Sequence, residues 1–187
     1  MITLSILIPT LEKRRPLYDA LIQSLIAQGQ FPDVEIVTDC DRGERSTGAK
    51  RNDLVMRAQG KYVVHIDDDD EVAPDYISEI LTAAVADMDC ITFDGWMTTN
   101  GQRPIDFDIA LNNPYIESTR PDGTKYYLRW PNHISVIRRE IAIQVPFPDK
   151  YQYEDFEWSK ELHDRGLLKT SIKINKKLYH YVFRTHK

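Results

Sequence analysis

Cysteine is scarce in this chain: Cys40 and Cys90 are the only two among 187 residues. Two cysteines make a poor disulfide scaffold and suit a reduced, cytoplasmic protein. Long hydrophobic runs are also missing. Stretches such as SILIP and ITF fall far short of the roughly 20 apolar residues that a membrane span needs. No basic segment followed by an apolar one comes after Met1, so no secretory signal is expected. Neither GxGxxG nor GxxxxGK[ST] occurs, so neither a dinucleotide fold nor a P-loop is supported. Internal repeats, low-complexity stretches and linkers are absent too, which leaves one globular unit of ordinary size. Hydrophobic residues at 42% and ten tyrosines supply a core with aromatic side chains to spare for the surface.

What is present is unevenly charged. Residues 62–110 carry twelve acidic side chains and one basic, whereas residues 111–187 carry fourteen basic and nine acidic. An acidic middle of this kind is either a cation site or a solvated acidic face.

The apolar pattern alternates between two periods. Ile2, Leu4, Ile6 and Ile8 mark a buried strand that Pro9 is expected to stop. Pro16 opens a helix with a stripe at Leu17, Ala20, Leu21, Ser24, Leu25 and Gln28, closed by Gly29. Strands over 34–39, 61–66 and 89–95 alternate with helices over 49–58 and 74–87. This β-α-β-α-β-α-β order calls for a mostly parallel sheet with helices on both faces. Residues 97–130 mix turn signals, Asn100-Gly101 among them, with short β-prone runs. A short helix near 139–143, a clear helix over 154–166 and closing strands TSIKIN and KLYHYVF complete the chain.

Three clusters have chemical content. The third strand runs straight into Asp67-Asp68-Asp69-Asp70, at the strand end where open α/β sheets bind ligands. Asp67 and Asp69 are two apart and can share a side on an extended segment. Adjacent carboxylates repel unless something offsets them, and their hard oxygens suit Mg²⁺ or Mn²⁺ together with a substrate phosphate. The other reading is a solvated turn capping the helix near Pro74. An EF-hand is excluded, because Val72 stands where that loop needs glycine. Glu154-Asp155 opens the last helix, as capping acids or as a general base. Lys50-Arg51 near the start of the second helix is unfavourable for the helix dipole, so either an anionic ligand sits there or the turn is simply solvated.

SILIPT, a strand ending at Asp39, GAKRN, HIDDDDEVAPDYI and YEDFEWSKEL follow one another in the order and spacing of the family 2 glycosyltransferases of the GT-A fold. Over residues 2–165 the chain resembles that family, and its compact form is similar to small soluble phage and prophage members. The resemblance implies one GT-A catalytic domain over residues 1–187, with a nucleotide-sugar part in 1–96 and an acceptor-side part bearing the base helix in 97–187. The implied activity is inverting transfer of one sugar from a nucleotide-diphosphate sugar, most often a UDP-sugar, to an acceptor hydroxyl. Pro9, Thr10 and Glu12 match the first nucleotide loop, Asp39 the contact to base or ribose, and Lys50, Arg51 and Asn52 the pattern near the nucleotide. Asp67, Asp68 and Asp69 match the DxD motif. Asp67 and Asp68 then touch the nucleotide, and Asp67 and Asp69 the Mn²⁺ or Mg²⁺. Asp155 matches the catalytic base.

His180 is a candidate late metal ligand or a structural histidine. Trp130, His133 and Glu154 are candidates for the acceptor and sugar pocket, with core packing the alternative for Trp130. Cys40-Asp41-Arg42-Gly43 departs from the usual turn after the second strand. The Q/R-x-x-R-W motif of processive synthases is absent, which points to single-sugar transfer in the cytoplasm, a host cytoplasm for a phage enzyme. The acceptor is expected to be a glycan or a hydroxylated DNA base, and a homo-oligomer is compatible with the sequence. A nucleotidyltransferase and a non-catalytic nucleotide-sugar-binding protein are the competing classes.

Overall fold

Strand β1 (Leu4–Leu11) lies between β2 (Val34–Asp41) and β3 (Tyr62–His65), and all three run parallel. This computed structural model describes residues 1–185. Pro9 does not end β1, contrary to expectation; the strand continues two residues further. The reason is positional. The Leu7 carbonyl accepts from Ile66 N, so Pro9, two residues on, faces the same side at a level where β3 has already ended. The missing proline N–H costs no ladder bond there.

Helix α1 (Arg15–Ile26) has proline in its first turn, where an N–H would lack a helical partner anyway. Helix α2 (Thr47–Arg57) is capped by Ser46, whose Oγ accepts from Ala49 N at 3.0 Å. β4 (Glu71–Val72) follows the acidic turn and precedes α3 (Tyr76–Ala84). β5 (Cys90–Thr99) is longer than expected and turns at Asn100-Gly101, both with positive φ, into antiparallel β6 (Gln102–Ile109). β7 (Ile116–Thr119) and β8 (Lys125–Arg129) extend that flank. β9 (Val136–Arg138), α4 (Arg139–Ala142) and α5 (Glu154–Asp164) follow. The two closing strands expected from the sequence are one strand, β10 (Ser171–Phe183), with register shifts between Ile174 and Tyr179.

Among the described residues one ten-stranded sheet contains every strand, in the order β2-β1-β3-β9-β5-β6-β8-β7, with β10 pairing β5 and β4. β9 pairs antiparallel with both β3 and β5, so β5 runs parallel to β3. Four of the five central strands therefore share a direction. Alternation along β1 feeds two cores. Ile6 and Ile8 pack with Leu21 and Leu25 of α1 and with Ile77 and Ile80 of α3. Leu7 packs on the other face with Leu54 of α2, Ile141 of α4 and Trp158 of α5. Helices thus cover both faces of a single α/β domain.

The acidic middle and the basic end of the sequence meet in this arrangement. Lys173 lies 2.9 Å from Asp94 and 2.7 Å from Asp108, and Lys177 lies 2.6 Å from Asp106. Lys176 pairs with Asp75 and Glu79, and Arg138 with Asp87. Much of the uneven charge is therefore neutralised within the fold.

Candidate active site

A cavity of about 1120 Å³ opens beyond the carboxyl ends of β1 and β3, the place where an open α/β sheet leaves a crevice. Backbone from β1 forms one wall with Pro9 and Thr10, and the first turns of α2 add Lys50 and Arg51. Gly48 makes that approach feasible: a Cβ there would lie 1.8 Å from the Pro148 carbonyl oxygen. The 147–150 segment can consequently lie against α2 and lead directly into Glu154-Asp155.

The four aspartates do four different things. Asp67 Oδ1 accepts from Arg51 Nη2 at 2.7 Å, and Asp67 Oδ2 is 3.8 Å from His133 Nε2. Burial works to raise the Asp67 pKa, but Arg51 and His133 outweigh it and hold the group below its ordinary value. Asp68 accepts from Thr10 Oγ1 at 2.5 Å and pairs with Arg14 at 2.7 Å. Its burial, with repulsion from Asp69 and Asp67, still pushes it up to about 6. Asp69 pairs with Arg14 at 2.5 Å and lies 3.6 Å from Arg184, whose Nη1 also donates to the Asp69 carbonyl at 2.6 Å. Asp70 faces away from the cavity and accepts from Tyr179 OH and Val182 N. It is a structural acid that ties the turn to β10, and burial raises its pKa well above its ordinary value.

Opposite the aspartates stands the start of α5. Arg51 is only 2% exposed and donates through Nε to Glu154 Oε1 at 3.1 Å. Asp155 Oδ2 is 3.3 Å from His133 Nδ1. Burial favours the neutral acid, but His133 and Arg51 outweigh it and keep Asp155 well below the usual carboxylate range. Arg51 thus bonds Glu154 and Asp67 directly, and His133 lies beside both Asp67 and Asp155 in the same cavity.

Of the residues expected at the site, Pro9, Thr10, Lys50, Arg51, Asp67, Asp68, Asp69, His133, Glu154 and Asp155 line this one cavity. Five others do not. Glu12 is exposed and pairs with Arg42. Asp39 is buried behind Arg45, its ion-pair partner, and its Oδ2 has no hydrogen-bond partner. Asn52 spends both ends of its amide on the Phe147 backbone, so it holds the 147–150 segment rather than a nucleotide. Trp130 stacks on His163 and donates to Ser159 Oγ at 3.2 Å, a packing role. His180 lies between the cavity-lining Tyr179 and Tyr181 on β10 and engages Thr98 and Glu71, each at 2.8 Å, while stacking on Trp96. Strand alternation turns it away from the aspartates.

Sequence reasoning overlooked Arg14, Arg45 and Arg184, which all line the cavity. Arg14 had a signal, since LEKRRP places basic residues just past the first strand. Arg184 had none, because only the return of β10 brings it to Asp69.

Among the described residues no three His, Cys, Asp or Glu side chains converge to cage a metal. Asp67 and Asp69 are hard oxygen donors facing the cavity. They fit an ion of the Mg²⁺ type, which takes one or two carboxylates and completes its shell with substrate phosphates and water.

The family model for glycosyl transferase family 2 matches residues 37–145, more than half of the chain. This chain belongs to that family. No curated protein matches the sequence. Among solved structures, the crystal structure of S. aureus TarS 1-349 is similar, with a TM-score of 0.71 at 16% identity over 97% of this chain and 60% of that one. A longer TarS crystal structure gives a TM-score of 0.70 at 16% identity over 97% of this chain and 37% of that one. TarS 1-349 in complex with UDP-GlcNAc gives 0.65 at 13% identity, over 100% of this chain and 60% of that one. The family member described here thus spans 60% or less of the TarS chains it matches, and at such identity the likeness establishes the GT-A fold. None of its helices is long and apolar enough to cross a membrane, among the described residues.

Proposed function

We propose that this chain transfers one sugar from a nucleotide-diphosphate sugar, a UDP-sugar, to an acceptor hydroxyl with inversion, using Asp155 as general base. The observation that carries the reading is that Asp155 and the Asp67-Asp68-Asp69 turn face one cavity, with His133 3.8 Å from Asp67 and 3.3 Å from Asp155. TarS, a structural relative, is described in complex with UDP and with UDP-GlcNAc, which favours a uridine donor here. The unpartnered Asp39 Oδ2 behind Arg45 is an acceptor suited to a base or ribose donor once Arg45 moves aside.

Lys50, Arg14 and Arg51 would face the diphosphate, with Asp67 and Asp69 as ligands for Mn²⁺ or Mg²⁺. A bound ion of this kind supplies Lewis-acid neutralisation of the departing diphosphate. The acceptor oxygen attacks the anomeric carbon while the bond from that carbon to the diphosphate oxygen breaks, its electron pair leaving with the nucleotide. The proton of the acceptor hydroxyl passes to Asp155 Oδ. A carboxylate of low pKa is a weak base, yet it suffices. The sugar centre is oxocarbenium-like at the transition state, so the attacking hydroxyl becomes strongly acidic as its bond forms. His133 and Arg51 beside it keep Asp155 ionised for that moment.

The test is a panel of nucleotide sugars incubated with the protein and Mn²⁺, read as release of nucleoside diphosphate, with nucleotide binding measured in parallel by calorimetry. Turnover of at least one UDP-sugar is expected. Failure to bind or turn over any donor, with thermal stability unmoved by EDTA, would sink the proposal.

A further inference from the structure

Five large aromatic side chains are exposed among the described residues: Tyr115, Tyr151, Tyr153, Phe156 and Phe183. All five line the cavity that holds Asp155. Exposed rings scattered at random need no explanation, but rings gathered at one mouth mark a binding surface. We infer that the rings flanking Asp155, namely Tyr115, Tyr153 and Phe156, form the acceptor platform, and that the acceptor is a neutral carbohydrate stacked on them. This deepens the transferase reading and rests on it.

The platform is built rather than incidental. Tyr115 packs edge-on against Phe156 at 5.1 Å and tilts on Trp130 at 4.8 Å. The Arg129 guanidinium is inserted between Tyr115 and Tyr127, 4.2 and 4.4 Å from their ring centres. Arg129 also donates to the carbonyls of Ile116 and Leu128, each at 2.8 Å, so it serves as a strut for Tyr115. Tyr153 is 72% exposed and adopts φ +65°, a left-handed conformation that favours glycine. A tyrosine there is strained without gaining any burial. Strain of this kind concentrates at functional sites, and Tyr153 immediately precedes Glu154-Asp155.

The charge pattern selects carbohydrate over nucleic acid. Single-stranded nucleic acids also stack on aromatic rings, but in grooves whose unpaired cations track phosphates. Here the cations that line the cavity are paired within the protein, Arg14 with Asp68 and Asp69, Arg45 with Asp39, Lys50 with Asp41 and Arg51 with Asp67 and Glu154, while Arg184 lies 3.6 Å from Asp69; those of α5 and its approach are paired as well. Lys150 pairs with Glu157 at 2.6 Å, Lys160 with Asp164 and Arg165 with Glu161. Arg129 is enclosed between rings, and Asp155 itself is anionic. A neutral sugar lays its apolar C–H face on an aromatic ring while its hydroxyls remain free to reach Asp155.

The full chain with UDP would be applied to an array of bacterial polysaccharide fragments and, in parallel, to a DNA duplex containing 5-hydroxymethylcytosine. Retention on at least one neutral glycan and none on the duplex is expected. Phe156→Ala should weaken retention about tenfold. Tyr153→Gly should weaken it similarly while leaving the melting temperature equal or higher, because glycine relieves the strained backbone; this separates loss of a ring from loss of the fold. Retention on the duplex alone, on nothing, or equally by the variants would overturn the inference. UDP binding in the same samples keeps the two readings apart. If UDP binds and glycans do not, only the acceptor inference fails. If UDP does not bind, the transferase reading itself fails.

Discussion

Arg51 and Glu154 stand 103 residues apart in the sequence and meet at 3.1 Å with both side chains buried. Arg51 extends the contact to Asp67 at 2.7 Å. One guanidinium thus fixes the distance between the acidic turn after β3 and the helix that bears Asp155. Its own pKa is raised, since its acidic neighbours outweigh burial.

Arg51→Met removes the cation and leaves Glu154 buried without its partner. Breaking a buried pair in this way costs about 3–5 kcal/mol. Urea unfolding of the variant should show a loss of that size, and a loss under about 1 kcal/mol would place the pair among exposed bridges of little consequence.

Asp155→Asn keeps shape but cannot accept a proton. Transfer should fall by roughly 10²–10⁴ in kcat, with UDP affinity measured by calorimetry unchanged. Unchanged transfer would reject the base, and lost UDP binding would reassign Asp155 to the donor.

Asp69→Ala should abolish Mn²⁺-dependent strengthening of UDP binding. Folding should suffer little, since Arg14 keeps Asp68 at 2.7 Å. A UDP titration with Mn²⁺, repeated with EDTA, reads this directly; a wild-type response to metal in the variant would remove Asp69 from the ion.

Asp89 provides a pH test away from the cavity. Burial works to raise its pKa, but it accepts from the backbone N–H groups of Lys169 and Thr170 at 2.8 and 2.9 Å, and with Arg138 nearby the net shift is downward. A depressed pKa means stability that is present above the unfolded value of about 3.9 and lost as pH falls through the folded one. Asp89→Asn should be less stable than wild type at pH 7, and the gap should close as the pH drops below about 4. A gap that is constant from pH 7 to pH 3 would contradict the assignment.

Much of the fold could be read locally. Alternation at Ile6 and Ile8, the helix stripe ending at Leu25 and Gly29, and the Asn100-Gly101 turn are each statements about neighbouring residues. Their structures follow from sterics and burial over a few positions. Pro9 misled because its cost depends on which neighbour its missing N–H faces. The single strand β10 misled because the register shifts across Ile174 to Tyr179 depend on pairing with β5. β9, only three residues long, shows no sequence sign that it separates β3 from β5.

At the site the same division holds. The scarcity of cysteine, the missing phosphate-loop glycines and the run from Asp67 to Asp70 set the class of chemistry from the sequence alone, since they are properties of residue type and order. The pattern could not distinguish four adjacent aspartates, which in the fold become a partner of Arg51, a partner of Thr10, a partner of Arg14 and a structural acid on Tyr179. Nor could it exclude Asn52 and His180 from the cavity or bring Arg184 and the exposed aromatic rings into it. Those outcomes were decided by tertiary structure, because they depend on which distant atoms share a low-dielectric space, and through-space distance is not written in sequence spacing.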